Sequence, residues 1–246
     1  ALPQREAGAG SYDVAPDGRE IAFVSNTDTT GEKGNLDLFV VSLEPGANGE
    51  RAMPRNLTPA NEAGDTDPAY SPDGRWLAFE QKRIRGFYAD RSRLMLLDRS
   101  AGTVRSLTED WDRSANGLVW LPDSSGLLGS IDDAATTRVY EFRLKAGTPR
   151  PVTKSNDYTS LDVAGRTVVA LRQSFSEPPT LVRVDARTGN ATKLSTFNDG
   201  VLAGVAFGKV ESVPYKGAHG ADIQMWVINP PGVDPAKKYP LFVILH

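Results

Sequence analysis

The chain has 246 residues, 39% hydrophobic and 24% charged, with a formal net charge of -3. That balance supports a packed core and offers no global basic field for nucleic acid or an anionic membrane surface. It holds no Cys, which excludes disulfide scaffolding, thiolate metal sites and a Cys nucleophile, and no stretch approaches the roughly 18 apolar residues of a membrane helix.

Along the chain an internal repeat emerges at once. Ala15-Pro-Asp-Gly-Arg-Glu-Ile-Ala-Phe23 matches Ser71-Pro-Asp-Gly-Arg-Trp-Leu-Ala-Phe79, with a weaker copy at Leu121–Gly129 and a degenerate one at Val163–Ala170. A second element follows each copy: Asp37–Leu43, Arg93–Asp98, Arg138–Leu144 and Thr180–Asp185. A third closes the unit around Leu57, Leu107, Val152 and Leu194, at spacings of 50, 45 and 42 residues. Pro-Asp-Gly is turn chemistry, since Pro presets φ and Gly takes the left-handed position. The flanking runs are short, apolar or alternating, and rich in Val, Ile, Leu and Phe, as strands are.

Each unit therefore reads as a four-stranded meander. One such sheet cannot cover both its faces alone, so a period of this length predicts radial stacking as propeller blades. The expected blades are 11–60, 61–110, 111–155 and 156–198, within a propeller domain spanning 1–205. One Pro-Asp-Gly turn would mark only a hairpin; two near-identical nonapeptides and two drifting relatives mark a propeller. A propeller by itself specifies no function.

After about residue 200 the pattern changes. Val210–Tyr215 and Asp222–Ile228 read as two strands joined by the turn Lys216–Ala221. Asn229-Pro-Pro-Gly232 ends the pairing, and Leu241–Leu245 reads as a continuous apolar strand covered on both faces. His246 follows directly. Both termini look cut, at an N-terminal stretch without start signals and at a strand with nothing to cover it, so the chain is expected to be a piece of a longer polypeptide.

The order of strand, Gly-containing turn, Trp-bearing strand, Pro-Pro-Gly, Lys237-Lys-Tyr-Pro240, apolar strand and His246 resembles the entry to the catalytic domain of prolyl oligopeptidase-family serine peptidases. Arg85-Gly-Phe-Tyr-Ala-Asp-Arg91 is similar to the acylaminoacyl-peptidase and dipeptidyl-peptidase 5 branch. The resemblance implies an all-β fold: a β-propeller of four-stranded antiparallel blades, followed by the first strands of an α/β-hydrolase at 206–246. It also implies that His246 begins the loop whose backbone N–H groups help form an oxyanion hole. The implied Ser-Asp-His triad lies beyond this chain, which has no G-x-S-x-G elbow and only two histidines, His219 and His246. No catalytic residue is assigned here.

The remaining candidates come from composition. Gln81–Arg91 is too long for a tight hairpin and carries Arg83, Arg85, Phe87 and Tyr88, suited to a peptide's carbonyls and apolar side chains; a solvated loop with local ion pairs is the alternative. Asp65/Asp67 and Asp132/Asp133 lack calcium-loop spacing and read as turn acids, so neither metal nor cofactor is expected. The four tryptophans read as core. The expected partners are short peptides, the C-terminal catalytic domain and a second copy as a homodimer, with neither nucleic acid nor membrane. The expected location is periplasmic or secreted. The competing function is a TolB-like periplasmic propeller acting as a protein-binding module, which would have no use for 206–246.

Overall fold

The Pro-Asp-Gly copies close tight hairpins. Gly18 and Gly74 both adopt φ of +70°, and each donates its N–H back across the turn, to the carbonyls of Ala15 and Ser71. In the third copy Ser124 stands at the glycine position and still adopts φ of +57°. An L-residue there is strained, and a compensating bond is present: the Ser124 Oγ accepts the Asp73 N–H at 3.0 Å, from the equivalent turn of the preceding unit. A computed structural model describes residues 11–31, 34–46, 49–145, 147–165 and 167–244.

These turns organise four sheets. β1 (Tyr12–Val14), β2 (Glu20–Asn26), β3 (Leu36–Ser42) and β4 (Arg55–Asn56) form the first. β5 (Asp65–Tyr70), β6 (Trp76–Gln81), β7 (Arg93–Asp98) and β8 (Thr103–Ser106) form the second. β9 (Val119–Trp120), β10 (Gly126–Asp133), β11 (Thr136–Arg143) and β12 (Arg150–Pro151) form the third. β13 (Asp157–Ala164), β14 (Thr167–Ser174), β15 (Glu177–Val184) and β16 (Ala191–Lys193) form the fourth. Within every sheet the strands neighbour one another in chain order, all antiparallel. Among the described residues the only α-helix is the single turn α1 (Asp199–Leu202), as expected for an all-β chain.

Three apolar clusters fasten the four sheets in series. Leu38 and Val40 of the first meet Leu77, Phe79 and Met95 of the second. Ala78, Leu94 and Leu96, on the opposite face of the second, meet Leu127, Ile131 and Phe142 of the third. Leu128 and Val139 then meet Val168, Val182 and Val184 of the fourth. The period-two alternation of adjacent residues such as Leu77 and Ala78 lets each central sheet serve two interfaces. Trp111 and Trp120 are buried in the second cluster, and Trp111 packs its ring on Tyr140 and Phe142. Gly189 is required at the last interface, because a Cβ there would lie 2.0 Å from the Val152 carbonyl oxygen.

β17 (Val210–Lys216) and β18 (Asp222–Ile228) pair as an antiparallel hairpin. The expected strand at 241–245 is not formed by its described part. Residues 241–244 have no ladder partner and are 71–90% exposed, because a buried strand requires neighbours on both edges and no described strand supplies them. Residues 245 and 246, and with them the His246 assignment, lie outside the described residues.

Candidate functional site

Meander topology separates two ends. The Pro-Asp-Gly turns leave the sheets at one end; the β2–β3, β6–β7, β10–β11 and β14–β15 connections leave at the other. The β17–β18 hairpin sits against this second end. Gln224 Nε2 donates to the Ala134 carbonyl at 3.1 Å and Trp226 Nε1 to that of Ala135 at 3.3 Å, both in the β10–β11 turn. The Trp226 ring meets Phe175 of the β14–β15 turn edge-on, centroids 5.3 Å apart. The long β6–β7 loop, singled out by its composition, projects from the same end.

That loop is built on Asp90. Its carboxylate is buried and accepts the N–H groups of Arg83 at 2.6 Å and Ile84 at 2.9 Å. Burial pushes this carboxyl up, but the two N–H donors and the Arg93 charge outweigh it and hold it below the usual range. Lys82 Nζ donates to the Tyr88 carbonyl at 2.7 Å, closing the loop on itself.

The four candidate side chains diverge. Arg83 is clamped bidentately on Glu109, at 2.5 and 2.7 Å, and holds that carboxyl below its ordinary value. Its fork is therefore filled from within the protein. Arg85 lies 3.8 Å from Asp28 of the β2–β3 loop and keeps 42% of its side chain exposed. Phe87 and Tyr88 contact each other at a centroid distance of 6.4 Å, and Tyr88 is 89% exposed. Arg85, Phe87 and Tyr88 thus leave a cation and an aromatic tip exposed, whereas Arg83 and Asp90 brace the loop.

Beneath it lies a feature with no signal in the sequence. A cavity of about 310 Å³ is lined by Thr66, Asp67, Glu80, Lys82 and Ser92, with Leu36 and Gly64. Glu80 is buried there on β6. Burial drives its carboxyl up to about 8; the Asp67 charge adds to the rise, and a Ser92 hydrogen bond and Lys82 oppose it only in part. Asp65, one strand away, is fully buried and raised to about 6 by burial, against hydrogen bonds from Asn61, Gln81 and Thr58. In sequence both are ordinary strand acids; burial sets them apart.

A larger groove of about 930 Å³ lies at the Pro-Asp-Gly end, between the third and fourth sheets. Its charged lining, Asp123, Arg183, Asp185 and Arg187, is exposed, so we place the candidate site at the loop end. Among the described residues no group of three His, Asp or Glu is placed to hold a metal, and His219 sits exposed in the turn between β17 and β18.

The fold and its hairpin match a class of solved structures. An acylaminoacyl peptidase, in complex with Z-Gly-Gly-Phe-chloromethyl ketone, superposes with a TM-score of 0.72 at 14% identity, covering 94% of this chain and 34% of that one. TolB from Agrobacterium tumefaciens gives 0.57 at 17% identity over 75% of this chain and 64% of its own. These likenesses establish the propeller. No family model matches the chain. In sequence, the chain is a homologue of dipeptidyl-peptidase 5: the protein of that name from Porphyromonas gingivalis is 29% identical over 238 residues. That match takes in 95% of this chain and 34% of the relative, so the chain spans about a third of the length of the curated relatives it matches.

Proposed function

We propose that this chain is the propeller portion of a serine peptidase that removes short units from small peptides, in the manner of dipeptidyl or acylaminoacyl peptidases. Residues 1–205 form the propeller, and 206–246 begin the α/β-hydrolase domain, whose nucleophile lies beyond the chain. The propeller narrows access to the active site, so that short peptides enter and folded proteins do not. The observation that carries this reading is the homology to dipeptidyl-peptidase 5 over 95% of the chain, which cannot be reached without entering 206–246. A pure binding propeller needs no such segment, and the TolB likeness covers only 75%.

On this reading substrate meets the loop end of the propeller, where Arg85, Phe87 and Tyr88 receive its carbonyls and apolar side chains, and His246 opens the oxyanion loop. The same reading assigns a periplasmic or secreted location and an aminopeptidase mode, and allows a homodimer. The test is a pair of proteins labelled with a fluorophosphonate serine probe. The polypeptide extended to the length of its relatives should label and release dipeptides or acylamino acids from short substrates; the 246-residue chain should do neither. Labelling of the short chain would overturn the assignment.

A further inference from the structure

The β10–β11 connection is a two-residue turn, Ala134-Ala135, closed by the Asp133–Thr136 pair. Both alanines adopt positive φ, 52° and 54°. Two positive φ values in a two-residue hairpin make a type I′ turn, a geometry for which Asn-Gly is the favoured sequence because most L side chains are strained there. Strain of this kind persists only where the surroundings over-determine the conformation. Here the two strained residues present the two carbonyls that accept Gln224 Nε2 and Trp226 Nε1.

The hairpin needs such a support. A two-stranded ribbon is marginal on its own in water, and neither of its strands contributes to any of the three buried clusters. In the connector leading into it Phe197 is 92% and Val201 76% exposed, so neither of these side chains anchors it. The hairpin is tied to the sheets by two hydrogen bonds to the β10–β11 turn and by the Trp226–Phe175 ring contact on the β14–β15 turn. Gln224 also donates to Ser212 Oγ across the ribbon at 2.8 Å, which fixes its amide for the outward bond.

We propose that the Ala134-Ala135 turn and Phe175 form a two-point dock on the third and fourth sheets. This dock orders the β17–β18 hairpin and sets its seat on the propeller, with Trp226 bridging both points. The inference goes beyond the peptidase reading and does not depend on it.

Amide hydrogen exchange of the 246-residue chain tests it, with β6 and β7 as internal reference. Phe175→Ala lies far from the hairpin in sequence. With the dock intact as described, it should speed exchange across β17 and β18 by about five- to tenfold, the loss of roughly one weak contact, leaving the reference strands unchanged. Trp226→Phe, which removes the N–H and keeps a ring, should do the same. The double variant Ala134→Asn, Ala135→Gly keeps the carbonyls and relaxes the turn, so hairpin protection should hold while Tm rises by a few degrees. Unchanged hairpin exchange in Phe175→Ala would overturn the dock, and a lower Tm in the Asn-Gly variant would overturn the strained-turn basis for it.

Discussion

Glu80→Gln should stabilise the protein, and by an amount that depends on pH in one direction only. The Glu80 carboxyl ionises near 4.5 in the unfolded chain and at about 8 in the folded one, chiefly because it is buried beside the cavity. Below pH 4.5 both states hold the proton and the group contributes nothing. As pH rises from 4.5 to 8 the unfolded chain sheds the proton first, so the folded state loses stability steadily; above 8 the loss levels off. At 1.36 kcal/mol per unit, a rise from 4.5 to about 8 sets a ceiling of about 5 kcal/mol. The effective dielectric of such a site is well above that of a dry interior, so roughly 3 kcal/mol near pH 8.5 is the expected difference. Gln keeps the shape and an acceptor for Ser92 while removing the charge. Asp65 titrates in both proteins and cancels from the comparison. Urea unfolding of the pair at about pH 4.5, 6, 7.5 and 8.5 reads the difference directly. A gap between variant and parent that stays constant across that range would refute the reasoning, since a packing effect carries no proton linkage.

Further outcomes are expected elsewhere. Ser124→Ala removes the acceptor for the Asp73 N–H and leaves the positive φ, so it should cost about 1 kcal/mol in urea unfolding; Ser124→Gly loses the same bond but relieves the backbone and should fall within about 0.5 kcal/mol of the parent. Asp90→Asn weakens both charge-assisted bonds to Arg83 and Ile84; limited proteolysis should then cut within 82–92 earlier, with a stability loss of about 2 kcal/mol. Arg85→Ala in the polypeptide extended to the length of its relatives should lower kcat/KM for short peptides by about ten- to a hundredfold with little change in Tm, the worth of one charged hydrogen bond to substrate. Values within twofold of the parent for every peptide would make the β6–β7 loop a purely structural one.

The sequence disclosed the sheets because their information is local. Pro-Asp-Gly, the apolar alternation and the spacing of Leu57, Leu107, Val152 and Leu194 lie in a line along the chain, and the strands stand where those signals place them. The site was legible only as a composition. Arg83 and Arg85 are equivalent in sequence, yet one is held by Glu109, in the loop after β8, and the other faces Asp28, from the β2–β3 loop of the first sheet. Glu80 looks like any acid at a strand end; its perturbation comes from burial and the nearby Asp67 charge, which no local pattern encodes. The run at 241–244 shows the converse. Its apolar character marks a strand, but a strand is a relation between segments, and no described segment pairs with it.

The uninterrupted chain order of every sheet has a consequence for how such a protein changes over time. Among the described residues no strand is lent by one sheet to another, and each interface is a separate cluster joining two neighbours. A duplication or deletion of one contiguous stretch of codons, about a repeat in length, would therefore add or remove a whole sheet together with one interface, without rethreading the rest. Point changes are likewise confined. Ser124, standing where the first two copies carry Gly, is met by a single bond to the adjacent turn, so a difference between copies at this position is taken up locally and the stack stays intact.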